Sequence, residues 1–205
     1  MKKHRTMLAI AAVILMTALL AACGSAGVEA ESAPLLAVPF AGEEVIPPRP
    51  AKDFDLIDSN GESLRLKDLK GKYVLVGFAY TSCPDVCSLL FNLFWKIQNE
   101  IGDAVPENVE LVFITIDPEV DTPERLAKHT VRYEGKWHFL TDEMDEMEEV
   151  WKDFGIYVSK TGKSVDHNMN TYLLDPNGLF RLVYGGLPPV AAIVSDMHQL
   201  GAISQ

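Results

Sequence analysis

The stretch YVLVGFAYTSCPDVCSLLFNLFWKIQNEI, residues 73–101, joins an apolar run to a helical pattern through two cysteines. Residues 73–80 are nearly all apolar, which is typical of a strand that is buried on both faces. Beyond Pro84, apolar residues recur at helical spacing, namely Leu90, Leu93, Phe94, Ile97 and Ile101. The stretch therefore predicts a strand followed by a helix that begins at Pro84 or Asp85, inside the cysteine motif.

The patterns on either side of this stretch predict a thioredoxin-like α/β fold. FDLIDSNGESLRL, residues 54–66, alternates apolar and polar residues around a Ser-Asn-Gly turn and predicts an added N-terminal β-hairpin. Downstream, the patterns predict strand, helix, strand, helix, hairpin and helix, at residues 109–117, 122–133, 137–141, 142–154, 169–186 and 188–203. Relative to the thioredoxin plan, the strand and helix at 137–154 are an insertion in the middle of the chain.

The N-terminus has the layout of an export signal. A basic start at Lys2, Lys3 and Arg5 precedes an apolar run that is too short to span a membrane comfortably. The following letters LAAC resemble the end of a bacterial lipoprotein signal, which predicts a signal peptide at residues 1–22 and lipid on Cys23. The alternative is an uncleaved anchor helix with a chance cysteine. Both interpretations hold the protein at the extracytoplasmic face of the cell membrane.

Residues 23–50 are rich in Ala, Pro, Glu and small residues and lack a sustained period, so they are predicted to form a lipid-anchored flexible tether. The folded domain is then predicted at residues 51–205. Without the signal, the chain has 15 Lys and Arg against 29 Asp and Glu, a formal charge of −14. Because so acidic a surface repels nucleic acid and anionic lipid headgroups, we expect no nucleic-acid partner and membrane association through the anchor.

Cys83 and Cys87 remain as a pair in an export compartment where disulfides can form. A structural disulfide between them would close only a short loop and add little stability, which leaves a redox couple or a metal site. Cysteines four apart at the start of a helix point to the same side, and a helix N-terminus favours thiolates. Their separation also suits a disulfide, so both uses stay open.

The C-x-x-x-C spacing has one residue more than the motif of thioredoxin-type oxidoreductases and leaves room for an ion between the two sulfurs. Copper(I), or copper(II) with an added nitrogen, suits thiolate ligands. A copper(II) site needs a further donor, and His167 is the candidate. It lies in the predicted loop before the strand that thioredoxin folds place against the cysteine helix. Thioredoxins carry a cis-proline in that loop, and here no proline precedes the strand.

Three segments together resemble the Sco/SenC family of copper-binding proteins with a thioredoxin fold: GFAYTSCPDVCSLL, VFITIDPEVDTPERL and VDHNMNTYLLDPNG. The resemblance covers nearly all of residues 51–205, with the three motifs in the family's order. It implies that Cys83, Cys87 and His167 bind one copper ion, as copper(I), copper(II) or both.

Two positions depart from the family pattern, in which His or Asn often precedes the first cysteine and Pro follows the second. Here these positions are Ser82 and Ser88, and neither supplies a ligand in the family. Asp166 is predicted to orient His167 from outside the ligand set. Other histidines and methionines are predicted to pack in the core or face solvent: His129, His138, His198, Met144 and Met147.

The resemblance implies a part in assembling the dinuclear copper centre of cytochrome c oxidase, and two functions fit it. A metallochaperone would hold copper and pass it to the copper-bearing subunit of the oxidase by ligand exchange. A thiol-disulfide oxidoreductase would keep the oxidase's own cysteines reduced, with Cys83 as the attacking thiol and Cys87 as the resolving thiol. A thioredoxin-like reductant or another copper chaperone is a further implied partner. The cysteine spacing and His167 favour the metallochaperone.

Overall fold

The computed structural model describes residues 38–84, 86–131, 136–162 and 164–204. The predicted signal peptide, Cys23 and most of the predicted tether lie outside the described residues. In the described part of the chain, no helix has the length and apolar character that crossing a membrane requires.

A sheet of eight strands runs through the described residues. The strands of the molecule are β1 (Glu43–Glu44), β2 (Asp55–Asp58), β3 (Ser63–Arg65), β4 (Tyr73–Ala79), β5 (Val109–Thr115), β6 (Trp137–Thr141), β7 (Val158–Thr161), β8 (Ser164–His167), β9 (Asn170–Leu174) and β10 (Phe180–Gly185). The order in the sheet is β1-β10-β9-β4-β5-β6-β2-β3, and β7 pairs with β8 separately. β4, β5 and β6 are parallel, β9 is antiparallel to β4, and β10 is antiparallel to β9.

Helices cover both faces of this sheet. They are α1 (Cys87–Ile101), α2 (Pro123–Thr130), α3 (Met144–Phe154) and α4 (Val190–Gln199), and single helical turns occur at Leu66–Leu69 and Ala104–Glu107. α1 packs on one face through Phe94, whose ring centroid lies 4.3 Å from that of Phe113 on β5. α3 packs on the other face, where the ring centroids of Phe154 and Phe78 lie 5.3 Å apart. β4 and β5 are therefore covered on both sides, as their apolar runs predict.

The ends of α2 and α3 follow local capping signals. The Thr122 hydroxyl accepts a hydrogen bond from the Arg125 amide at the start of α2, and Pro123 occupies the first turn. α3 ends at Gly155, whose φ of 66° lies in the left-handed region that glycine adopts without strain. Both helix ends therefore follow from residues that lie within a few positions of them.

Both predicted hairpins are present. β2 and β3 pair antiparallel with Leu56 opposite Leu64. The Asp58 carboxylate closes their turn by accepting the amides of Asn60 and Glu62, at 2.8 and 2.9 Å. β2 also pairs with β6, so this hairpin extends one edge of the sheet. β9 and β10 form the second hairpin.

The folded unit begins earlier than the boundary predicted at Ala51. It starts at Pro39, and β1 pairs with β10. The Ala41 amide donates to the buried carboxylate of Asp196 on α4, at 3.0 Å. Residues 39–50 are therefore part of the fold and not of the tether. A strand of two residues is too short to show a periodic pattern. The Asp196 carboxylate lies 155 positions from Ala41 in the sequence, so nothing nearby in the sequence indicates this contact.

The sequence does not predict the hairpin formed by β7 and β8. The prediction of a loop at His167 is wrong, because this residue is the last of β8 and lies opposite Val158 in the register. Gly162, with a φ of 63°, stands in the turn. Among the described residues of the two strands, Val165 alone is buried, so the apolar alternation that identifies a half-buried strand is missing.

Gly77 lies in β4 at a place where α1 packs closely on the sheet. A Cβ atom added there would lie 2.9 Å from the Phe113 ring and 3.0 Å from the Phe94 ring. We expect Gly77→Ala to lower the free energy of unfolding by about 1–3 kcal/mol, because both rings must move. Gly185→Ala in β10 is the control. Its Cβ would meet no atom nearer than 4.0 Å, so we expect a change within about 0.5 kcal/mol.

Urea denaturation of both variants measures the two changes. Equal losses at the two positions would contradict the close approach of α1 at Gly77.

Candidate metal centre

The cysteine motif lies where β4 leaves the sheet and α1 begins. The Cys83 amide donates to the Tyr80 carbonyl at 3.4 Å, which forms a turn before the helix. α1 begins at Cys87, later than the start at Pro84 or Asp85 that the sequence predicts. The Cys87 amide donates to the Cys83 sulfur at 3.4 Å, and both thiols are free. The predicted approach of the two cysteines at a helix N-terminus is thus present.

The two thiols differ in their surroundings. Cys83 is half-buried, whereas Cys87 is 3% exposed. Burial raises the pKa of the Cys87 thiol to about 12, and the hydrogen bond with Cys83 acts in the same direction. Cys87 therefore keeps its proton at neutral pH, and any ligand that binds its sulfur as a thiolate must first displace that proton.

His167 is half-buried at the end of β8. Its Nδ1 lies 3.0 Å from the carbonyl oxygen of Asn168. Since a carbonyl oxygen only accepts hydrogen bonds, we assign the proton to Nδ1, which leaves the Nε2 lone pair available to a metal. Burial lowers the pKa of His167, so the imidazole is neutral near pH 7.

The structure corrects the role predicted for Asp166. The hydrogen bond that orients the His167 ring goes to the backbone carbonyl of Asn168. Asp166 is exposed and acts on His167 through its charge, which raises the pKa of the imidazole against the larger effect of burial. Every residue has a backbone carbonyl, so the sequence cannot indicate which one accepts the hydrogen bond from His167. An acidic neighbour such as Asp166 can be recognised by its residue type.

Cys83 and His167 line one cavity of about 210 Å³. Met169 lies in the same lining. Tyr80 also lines this cavity and was not predicted from the sequence. Its hydroxyl accepts a hydrogen bond from the Val165 amide at 3.4 Å, which connects the residue that follows β4 to β8. Burial raises the pKa of the Tyr80 phenol, so it stays neutral. The cavity therefore has a sulfur on one side and an imidazole on the other.

The three predicted ligands are not assembled into one closed set. Cys83 contacts Cys87, and Cys83 shares a cavity with His167. Among the residues that the structure describes, no group of three His, Cys, Asp or Glu side chains is arranged to hold a metal ion. The chemistry of the donors fits a thiophilic metal, and their joint coordination of one ion stays a prediction.

Three of the residues that were predicted to pack in the core or to face solvent have contacts elsewhere in the fold. The His138 Nε2 lies 3.2 Å from a carboxylate oxygen of Glu110. The His129 ring packs 4.9 Å from the Phe91 ring, centroid to centroid. Met147 is fully buried in the core. A larger cavity of about 450 Å³ lies between β2 and α3 and is lined by neither Cys nor His.

A protein-family model described as SCO1/SenC matches residues 46–201. The chain belongs to the SCO1/SenC family. It is 33% identical over 140 residues to "Protein sco1" of Schizosaccharomyces pombe, a match that covers 64% of this chain and 53% of that protein. The chain thus spans about half the length of this relative.

Solved structures of Sco proteins resemble this one closely. Arabidopsis thaliana ScoI with copper bound has a TM-score of 0.68 and 27% identity, and the match covers 74% of this chain and 97% of that chain. BsSco has a TM-score of 0.62 and 27% identity, with 78% and 94% covered. It is described as a member of the Sco family of cytochrome c oxidase assembly proteins that contains a disulfide switch. The predicted thioredoxin-like fold is confirmed.

We expect the two thiols to react at different rates with iodoacetamide. Because the pKa of Cys87 rises from 9.0 to about 12, its thiolate fraction at pH 8 falls roughly a thousandfold below that of an ordinary cysteine. Cys83 should therefore be alkylated at least about tenfold faster than Cys87 in the reduced, folded protein. Peptide mapping by mass spectrometry after timed quenching measures both rates.

The protein unfolded in urea is the control, and there the two cysteines should react alike. Equal rates in the folded protein would show that Cys87 is not shielded.

Proposed function

We propose that this protein is an extracytoplasmic copper metallochaperone that helps to assemble the dinuclear copper centre of cytochrome c oxidase. The observation that supports this most is the meeting of Cys83 and His167 at one cavity, with the buried Cys87 thiol in contact with Cys83. Copper is bound in a related structure of the same family. Two sulfurs and one imidazole nitrogen suit copper better than they suit harder metal ions.

In this proposal, copper is the cargo. The three side chains bind it one after another until all three hold it. The half-buried Cys83 sulfur meets the ion first. Cys87 then releases its proton and binds through its thiolate, and His167 binds through Nε2. Because every cysteine that is protonated in the free protein must lose its proton to bind copper as a thiolate, the apparent copper affinity should rise with pH, by at least about tenfold per unit as long as Cys87 is protonated in the free protein.

The copper-bearing subunit of the oxidase is the proposed recipient. Cys83 is half-buried and Cys87 is buried, so an incoming thiolate can bind copper beside Cys83 while Cys87 still holds it. Each exchange then replaces one thiolate by another, and the ion need not enter water. Another copper chaperone is a proposed source of the copper.

We place the protein at the outer face of the cell membrane through lipid on Cys23. Residues 24–38 would then form the tether between the lipid and the first residues of the folded unit at Pro39. The acidic chain has few basic residues to attract anionic headgroups, so the anchor is the means of membrane attachment.

His167→Ala should weaken copper(II) binding far more than copper(I) binding. Two thiolates satisfy copper(I), whereas copper(II) prefers a tetragonal set that includes nitrogen. We expect a loss of at least about a hundredfold for copper(II) and less than about threefold for copper(I), since loss of one ligand costs several kcal/mol. Anaerobic titrations with each ion, followed by absorption spectra, measure this.

His138→Ala is the matched control, because His138 contacts Glu110 and lies outside the cavity. An equal loss of both ions in His167→Ala, or no loss of either, would remove His167 from the ligand set.

A second function, thiol-disulfide exchange, is favoured by the unequal exposure of the cysteines. The Cys83 thiolate would attack a disulfide in the oxidase subunit and form a mixed disulfide, releasing one thiolate of the target. Cys87 would then lose its proton and attack the Cys83 sulfur, releasing the second target thiolate. The target gains two electrons and the Cys83–Cys87 pair loses them, so a thioredoxin-like reductant must restore the pair. A disulfide switch in BsSco gives this candidate support.

Oxidation of the pair should abolish tight copper binding. A disulfide offers no thiolate, and by linkage copper must protect the thiols from oxidation to the same degree. The measurement titrates copper into fully oxidised and fully reduced protein, with free thiols counted in parallel. If the disulfide form bound copper as tightly as the reduced form, the ligands would lie elsewhere, and thiol-disulfide exchange would become the better account.

A further inference from the structure

The segment Asp117–Asp121 follows β5 and touches both sides of the candidate metal centre. On the cysteine side, the Asp121 carboxylate is fully buried and accepts a hydrogen bond from the Thr81 amide at 2.9 Å. It also accepts the hydroxyls of Thr81 and Thr115, the latter at 2.7 Å. Thr81 stands two residues before Cys83. A buried carboxylate keeps its donors because an unpaired charge in the core is costly, so Asp121 fixes the start of the cysteine turn.

On the histidine side, the same segment holds β7. The Lys160 ammonium lies 2.7 Å from a carboxylate oxygen of Asp117 and 2.7 Å from one of Glu119. The Asp117 side chain is 4% exposed and that of Lys160 is 37% exposed, so the first of these ion pairs is partly shielded from water. Lys160 is opposite Val165 in the register of the hairpin that ends at His167.

The contact of Asp121 with Thr81 and the contact of Asp117 with Lys160 are the two attachments of this segment, and both belong to one hydrogen-bonded turn. The Asp121 amide donates to the Asp117 carbonyl at 2.9 Å, and the Val120 amide donates to the same oxygen at 3.0 Å. The Asp117 amide donates to the Thr115 hydroxyl at 3.1 Å, which ties the turn to the end of β5. The two attachments are therefore connected through three hydrogen bonds of ordinary length.

The hairpin needs such an attachment. β7 and β8 pair with each other and with no strand of the main sheet in the part of the chain that the structure describes. A two-stranded hairpin on its own is marginally stable in water. Its contacts with the rest of the fold include the buried Val165 side chain, the hydrogen bond from Val165 to Tyr80, and the ion pairs of Lys160. Lys160 therefore contributes to where His167 stands.

We propose that Asp117–Asp121, through Lys160, is a positioning bridge that sets the distance between the cysteine pair and His167. This inference rests on the proposed copper function, because it assigns a purpose to that distance. Copper(II) needs His167 together with the thiolates, so it depends on the bridge. Copper(I) is held by the two thiolates, so it does not. Lys160 is a positioning residue and does not touch the ion.

The test compares Lys160→Met, which keeps the aliphatic stem and removes the charge, with Lys160→Arg, which restores a cation that can reach both carboxylates. Lys152→Met is the control, since Lys152 pairs with Glu149 on the exposed side of α3. The full-length protein in detergent is titrated with copper(II) and, anaerobically, with copper(I). Amide hydrogen exchange of the hairpin is measured in the copper-free protein, as a readout that does not depend on copper.

We expect Lys160→Met to weaken copper(II) binding about tenfold and to change copper(I) binding less than about twofold, as for loss of a charged hydrogen bond. Hydrogen exchange at residues 158–167 should become faster, with the rest of the sheet unchanged. Lys160→Arg should recover most of both effects, and Lys152→Met should show neither.

Unchanged copper(II) binding in Lys160→Met, or an equal loss of both ions, would overturn the bridge. His167→Ala is measured alongside. If it left copper(II) binding intact, the ligand set of the proposed function would fail. Hairpin exchange would then decide on the bridge by itself: faster exchange that Lys160→Arg reverses would support it, and unchanged exchange would overturn it.

Discussion

The packing of α1 on β4 is the constraint on which the candidate metal centre depends. β4 is buried on both faces, and Gly77 lets the Phe94 ring of α1 come within 3.0 Å of the place where a Cβ would stand. The chain leaves β4 at Ala79 and enters α1 at Cys87, so a passage of seven residues joins the two packed elements. This short passage puts Cys87 in the buried first turn of the helix and Cys83 at the rim of the cavity. The unequal burial of the two thiols follows from the fold.

Unequal burial in turn explains why one site fits both of the proposed functions. A thiolate at Cys87 is unfavourable in the free protein, because burial penalises its charge. Two states avoid this penalty although Cys87 has lost its proton. In a disulfide the sulfur is neutral, and in a metal complex the cation offsets the charge of the thiolate. Copper binding and disulfide formation are therefore two exclusive states in which Cys87 loses its proton without leaving a buried, uncompensated charge. Which one prevails depends on whether copper or an oxidant arrives first.

The sequence predicted the parts of the structure that rest on local patterns. The central strands, the capped helices and the hairpin β2–β3 follow from apolar periodicity and turn residues, and so does the approach of Cys83 to Cys87. Parts that rest on distant contacts were not predictable. The residue Ala41, just before β1, is held by a carboxylate 155 positions away, and the strand character of His167 comes from a hairpin whose described side chains are mostly polar. Likewise, the partner of the His167 ring is a backbone carbonyl, which no residue type marks.

The proposed ligands of the centre consequently differ in how securely the fold places them. The cysteines are four positions apart and share one helix N-terminus, so their geometry is local and resists change elsewhere in the chain. His167 reaches the cavity on a hairpin whose attachments include Lys160 and Asp117, which lie 43 positions apart. We therefore expect substitutions far from the cavity to alter the position of the His167 side chain while they leave the two thiolates in place. Selectivity between the two oxidation states of copper would then be governed by the long-range contacts of the hairpin, and affinity for copper(I) by the local geometry of the C-x-x-x-C motif.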